Sequence, residues 1–312
     1  MGELRIAWWN TSLSPIAGGE STRNSEGRWE TAHEVVRNLL RDQSVDVLAL
    51  GEVTPDDVER LRDGNSEGYW AFVVEQSGDR HVDLAMLYNP ESLTVARRPS
   101  LLTISRGRAL DTVALPVGFE LVADGSLLWM FVVHWRSQRQ RDGEFSRVEA
   151  AARLRQAIDT LRQGDESPLG IVLGDFNDEP WSVAVERHLR ASRDRNLARS
   201  SPATLYNPSW RLLGERLPHR PGVSSRSIAG THYYRDAGAP THWYTYDQLI
   251  VTPALVHEGA WNLVEDSVRV WWNEELFTPS GAMAKKFDHL PITATLRPRP
   301  PTVQESEHER LP

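Results

Sequence analysis

LGIVLGDFN, residues 169–177, is an apolar run that ends in the polar tetrapeptide Gly174-Asp175-Phe176-Asn177. The run reads as a buried strand. Asp175 and Asn177 are two residues apart, so on an extended segment both lie on one side, and Phe176 points the other way, into the core. A carboxylate at the end of a buried strand is expensive to hold unless it is paired or ligates a metal.

The same pattern recurs along the chain. Trp9-Asn10 closes LRIAWWN, Gly51-Glu52 closes VDVLALGE, and His134-Trp135 follows LLWMFVV. Tyr246-Asp247-Gln248 opens the run YDQLIV, and Asp288-His289 opens DHLPITATL. One such segment would mean little. Six, supplying carboxylates, amides and imidazoles, make up the parts needed for metal-assisted phosphoester chemistry.

In this order the six segments resemble the endonuclease/exonuclease/phosphatase superfamily, whose fold is DNase I-like. The resemblance runs from Asn10 to about Leu296, and GDFN and the Asp288-His289 pair are its most specific elements. It implies a four-layer α/β sandwich in which two packed, mainly antiparallel sheets carry helices outside. Many short strand-like runs with helices between them suggest the same arrangement. Residues 1–297 then form one catalytic domain. Residues 298–312, with their prolines and charges, read as a disordered tail.

Composition narrows the chemistry. The chain has 312 residues, 40% hydrophobic and 25% charged, so it is able to bury a sizeable core. It has no cysteine, which excludes disulfides, thiolate metal sites and cysteine nucleophiles. Oxygen and imidazole ligands remain, and hard oxygen ligands point to Mg²⁺, Mn²⁺ or Ca²⁺ rather than structural zinc. The expected cofactor is Mg²⁺ or Mn²⁺. The start, MGELRIAWWN, reads as a strand rather than a secretory signal, and no apolar run approaches the about 20 residues of a membrane span, so a cytoplasmic location is expected. A net charge of −8 argues against strong non-specific affinity for nucleic acid without excluding a local basic groove. Lys285 and Lys286 are the only lysines, so the positive charge is almost all arginine. Arginine suits bidentate phosphate contacts, although a GC-rich coding bias explains the same excess.

Strands are expected near residues 4–9, 45–50, 70–74, 83–88, 119–123, 127–133, 169–173, 247–252 and 290–296. Leu127, Trp129 and Phe131 would enter the core between the sheets. One helix over 28–41 gathers Trp29, Ala32, Val35, Val36, Leu39 and Leu40 on one face. A second starts at Thr54 with Pro55 at its first position and Asp56 and Asp57 in its first turn. A third starts near Ser146, where Ser146 and Glu149 fit a capping box. Two long loops, 11–27 and 200–245, would open onto the strand ends that carry the six segments.

The resemblance assigns roles. Glu52 is the main metal ligand, Asp288 another, and Asn10 either orients Glu52 or joins the ligands. Asp175 takes a proton from the attacking water or orients it, and Asn177 donates to phosphoryl oxygens. Asp247 orients His289, which acts as base or as phosphate stabiliser. His134 binds phosphate or takes part in acid–base work. Arg136 and Arg139 either contact substrate phosphates or are ordinary surface arginines. Trp8, Trp9 and Trp129 read as core, whereas Trp135, Trp181 and Trp243, near the site segments, either stack on bases or wall the pocket. The stretch Thr231-His232-Tyr233-Tyr234 either lines the pocket or begins a strand. GDFN and YDQLIV look more like the nuclease branches than the inositol phosphatase branch, so the expected activity is metal-dependent phosphodiester hydrolysis of DNA or RNA. The alternative is a phosphatase or phosphodiesterase acting on a small molecule, nucleotide or lipid headgroup. A catalytically dead binding module would lack a ligand or an acid–base residue, and none is missing from the six segments.

Overall fold

The structure, a computed structural model, describes residues 2–13, 26–63, 68–73, 83–107, 109–140, 142–214, 228–235, 238–256, 259–277, 283 and 287–299. Its strands are β1 (Leu4–Asn10), β2 (Val47–Gly51), β3 (Trp70–Val73), β4 (Leu84–Tyr88), β5 (Leu93–Arg97), β6 (Leu102–Arg106), β7 (Ala109–Leu121) and β8 (Leu127–His134). They continue with β9 (Leu169–Asp175), β10 (Ala191–Ser192), β11 (Leu205–Tyr206), β12 (His232–Tyr233), β13 (Trp243–Tyr244), β14 (Asp247–Val251), β15 (Trp261–Val270) and β16 (Ile292–Pro298). The helices are α1 (Glu26–Arg37), α2 (Pro55–Arg62), α3 (Gly143–Gly164) and the short α4 (Arg195–Ser200).

Two sheets pack face to face. The first runs in the order β15-β16-β1-β2-β4-β3, the second β10-β11-β14-β9-β8-β7-β5 with β6 added to β7, and β12 and β13 form a separate ribbon. Among the described residues β1/β2, β8/β9 and β10/β11 pair in parallel, and the other pairings are antiparallel. Helices α1 and α2 cover the outer face of the first sheet and α3 that of the second, giving the four layers of the DNase I-like sandwich.

Register positions the six segments. In the first sheet Asn10 pairs with Gly51, so Asn10 and Glu52 leave the sheet together. In the second, Asp175 pairs with His134 on one side and with Asp247 on the other, one row of three polar residues across three strands. Leu173 and Leu249, two residues inward on the same face, lie in the core between the sheets. Gly51 is required at its position: a Cβ there would stand 2.5 Å from the Trp8 ring.

Several expectations are corrected. In β8 it is Leu128, Met130 and Val132 that face the other sheet, whereas Phe131 and the partly buried Trp129 lie beneath α3 with Ala151, Leu154 and Ile158. Both faces of this strand are covered, so hydrophobicity does not distinguish them, and a one-residue error of phase inverts every side chain. Strands β5, β6 and β15 were not expected, and β7 begins ten residues before the expected 119. Pro116 hides it. The strand runs through that proline between the stretches paired by β6, up to Ala114, and by β5, from Gly118. Helix α3 starts at Gly143 rather than near Ser146, its N-cap Asp142 makes no side-chain cap, and Ser146 is buried. The helix over 28–41 ends in a π-helical turn, Asn38–Asp42, with its expected apolar face buried. At Thr54 the capping box forms with Asp57.

The 200–245 segment is no open loop in its described part. It carries β11, a 3₁₀ turn over Pro208–Leu213, and the β12–β13 ribbon. Asn207 ties it down, donating to Gln248 at 2.9 Å while accepting from Ser209 N. Residues 14–25 and 215–227 of the two expected loops, and 300–312 of the expected tail, lie outside the described residues; Pro298 still belongs to β16.

Candidate active site

Glu52, His134, Asp175, Asn177, Asp288 and His289 line one cavity of about 570 Å³ at the end of the sandwich. Asn10 and Asp247 lie buried, joined to Asp175 and His289 by hydrogen bonds. Trp135, Arg136 and Arg139 also border the cavity.

Asp175 is the centre. Its Oδ1 accepts from the backbone N–H of Asn177 at 2.7 Å, and its Oδ2 accepts from the Asn10 amide at 3.2 Å. Two imidazoles aim at that same Oδ2. Nε2 of His134 lies 3.8 Å away and Nε2 of His289 3.7 Å away. The far nitrogen of each ring meets a carboxylate. Nδ1 of His134 is 2.6 Å from Asp83, and Nδ1 of His289 is 2.8 Å from Asp247. The Trp8 indole donates to the second oxygen of Asp247 at 2.6 Å. Paired in this way, each ring is fixed in orientation.

These contacts set the charges. Burial alone would push His134 down, but the adjacent Asp83, with Asp175 and Glu52, raises it to about 10. His289 is likewise raised well above its ordinary value: burial opposes its charge, and Asp247 and Asp175 outweigh burial. Burial raises Asp175 and Glu52, with the two histidines pulling each of them back.

Asn10 points its nitrogen, not its oxygen, at the carboxylates. Nδ2 donates to Asp175 and, at 3.4 Å, to Glu52, while Oδ1 accepts from Ser12 N. Of the two roles open to it from sequence, this arrangement is the orienting one. The Ser12 hydroxyl donates to Asp288 at 2.7 Å, and the Thr11 hydroxyl donates to the Gly51 and Glu52 carbonyls. Ser12, Glu52 and Asn177 all have left-handed backbone, φ near 50°. Left-handed non-glycine residues cost roughly 1–3 kcal/mol each and tend to gather at functional sites. Asn177, expected to face phosphoryl oxygens, donates one amide N–H to the Trp135 carbonyl at 2.9 Å.

One site residue escaped the sequence reading, and a second was left between two alternatives. Asp83 immediately precedes β4, which is antiparallel to β2 with Gly51 opposite Leu84. A carboxylate flanking the strand beside Glu52 was the available signal. His232, left between two readings, lines the cavity, stacks on Tyr246 at 5.1 Å and packs 4.5 Å from the His289 ring. Burial first, then the charge of His289, push it down to about 3, so it is neutral.

Of the three tryptophans, Trp135 walls the cavity without offering its ring for stacking, and the other two lie away from it. The Trp135 ring is 2% exposed, edge-on to Phe176, and donates to the Val113 carbonyl, so it is core. Trp181 is exposed against Trp210, and Trp243 packs on Tyr233; neither lines the cavity. Besides Trp135 and His232, the aromatic residues that line it are Tyr234, Tyr244 and Tyr246.

A metal fits this donor set. Glu52, Asp83, Asp175, Asp247 and Asp288 bring five carboxylates against two cationic imidazoles, which leaves an excess of negative charge for a hard cation. The tightest groups of ligand atoms, within 4.8 Å of one another, are Asp175–Asp247–His289 and His232–Asp288–His289. Among the described residues Glu52 joins neither, and it reaches Asp175 through the shared Asn10 amide.

A sequence model of the endonuclease/exonuclease/phosphatase family matches residues 20–286. The chain belongs to that family. No curated protein matches it in sequence. Among solved structures, a family protein from Bacteroides thetaiotaomicron is similar at 17% identity and TM-score 0.61, over 95% of each chain. The mannosyl-6-phosphatase of the same organism is similar at 17% identity and TM-score 0.61, covering 94% of this chain and 99% of that one. TDP2 of D. rerio, complexed with a single-strand DNA product, is similar at 15% identity and TM-score 0.62, covering 95% and 100%. At these identities the likeness shows the fold. Members of the family are phosphoesterases, and this chain is read as one. Among the described residues no helix is long and apolar enough to cross a membrane.

Proposed function

We propose that the chain is a divalent-metal-dependent phosphodiester hydrolase, and a nuclease in its substrate class. The observation that carries this reading is the convergence of two carboxylate-backed imidazoles on the one carboxylate, Asp175. Glu52 and Asp288 would hold Mg²⁺ or Mn²⁺, with the Asn10 amide orienting Glu52. When bound, the ion neutralises charge on the non-bridging oxygens and stabilises the leaving oxygen.

The side chains do the rest. Asp175, held by Asn10 and the Asn177 N–H, orients the attacking water and takes its proton. The water oxygen bonds to phosphorus as the P–O bond to the leaving alcohol breaks. His134 and His289 present N–H donors where negative charge grows, and one of them returns a proton to the leaving oxygen. No covalent enzyme intermediate is required.

One observation favours the second reading, a small phosphate ester. Five carboxylates, Glu52, Asp83, Asp111, Asp175 and Asp288, line the cavity against two arginines, which suits a compact substrate better than a long polyanion. The deciding experiment incubates pure protein and Mg²⁺ or Mn²⁺ with single-stranded and duplex DNA, RNA and small phosphate esters. Cleavage of a nucleic acid is expected; turnover of small esters alone overturns the nuclease reading.

A further inference from the structure

The two cavity arginines differ in what holds them. Asp111 grips Arg136 through both carboxylate oxygens, at 2.9 and 2.7 Å, and takes Arg106 at 2.5 Å. The charge of Arg136 is therefore neutralised where it stands. Arg139 is exposed at the cavity mouth, its guanidinium 4.5 Å from the Tyr234 ring centroid, and among the described residues no carboxylate pairs with it. A guanidinium laid on a ring keeps its N–H edge free for the paired oxygens of a carboxylate or phosphate. Apart from the two histidines deep in the site, the remaining charged wall is acidic, so at the mouth Arg139 is where the wall attracts rather than repels an anion. Arg139 is also close to the reacting groups: its charge acts on His232, whose ring packs on that of His289.

We propose, on the phosphoesterase reading above, that Arg139 on its Tyr234 platform binds a second phosphate of the substrate, one left intact in that turnover. The favoured substrate then carries two phosphates, one between the histidines and one at the mouth. The second phosphate belongs either to a neighbouring nucleotide of a strand or to a small pyrophosphate ester.

The test compares wild type with Arg139→Gln in Mg²⁺ on four substrates. TpT and pTpT differ by one terminal strand phosphate; bis(4-nitrophenyl) phosphate and di(4-nitrophenyl) pyrophosphate differ by one phosphoryl unit. The expected result is an about tenfold fall in the pTpT-to-TpT ratio of kcat/KM, carried by KM and weaker at high salt. A fall confined to the pyrophosphate ratio supports the same site and assigns the second phosphate to a small ester. Unchanged ratios overturn the proposal, as does an equal fall in both ratios for Arg136→Gln. If no substrate is hydrolysed the phosphoesterase reading fails on its own, and calorimetric binding of pTpT against TpT decides the role of Arg139. Loss of the difference in Arg139→Gln supports it, and an unchanged difference overturns it.

Discussion

His134 and His289 make the same contacts from opposite flanks of Asp175, yet they are built differently. The partner of His289, Asp247, is fully buried at the start of a central strand, gripped by the Trp8 indole and by its own ring. The partner of His134, Asp83, is 19% exposed at the start of β4, a strand of the other sheet. The first pair is thus fixed by the core, and the second bridges the sheets across the cavity edge. A buried acceptor has no water to replace a lost donor, whereas a partly exposed one does. The two pairs should therefore differ in how much their loss matters.

The largest effect is expected at His289. His289→Ala should lower kcat by about 10²- to 10⁴-fold with little change in KM, as measured by steady-state kinetics on the substrate found in the screen. A change in KM alone contradicts its role at the reacting phosphate. Asp247→Asn should fall in the same range, and Asp83→Asn should cost about 10- to 100-fold. Equal losses would erase the distinction between the buried and the edge pair.

Support beneath the buried pair comes next. Trp8→Phe keeps most of the ring but removes the donor to Asp247, and should lower stability by about 1–3 kcal/mol in urea unfolding. Gly51→Ala forces a Cβ against the same ring and should cost about 1–3 kcal/mol. If either variant is as stable as wild type, the indole is not what fixes Asp247.

The smallest effect concerns the rim. Burial would raise Asp111, but its hydrogen bonds to Arg136 and Arg106 hold it below the usual carboxylate range. A depressed carboxyl contributes stability that is full above about pH 4 and fades as pH falls through its lower folded value. Asp111→Asn should remove that part of the acid-side decline, read as Tm against pH. An unchanged profile would show that the pair stabilises nothing.

Much of this was legible in the chain, and what was missed has physical causes. Asp175, Asp247, His289 and Glu52 stand at one end or the other of continuous apolar runs, where a polar residue is conspicuous, and the resemblance made their convergence an expectation. Asp83 precedes a short run with no second polar residue or motif beside it, and the antiparallel pairing of β4 with β2 brings it to the site. His232 lies in a two-residue ribbon that has no periodicity to read. The wrong phase in β8 came from a strand buried on both faces, and the base-stacking reading of Trp135 failed because its N–H finds a backbone carbonyl inside the protein.

The most direct test of the central claim is the hydrolysis rate of the wild-type protein in Mg²⁺, in excess chelator, and after Mg²⁺ is restored, alongside Glu52→Gln in Mg²⁺. Carboxylates gathered to hold a divalent ion predict a rate that vanishes with chelator, returns with Mg²⁺ and is lost in Glu52→Gln. Full activity in excess chelator, or in Glu52→Gln, would contradict it.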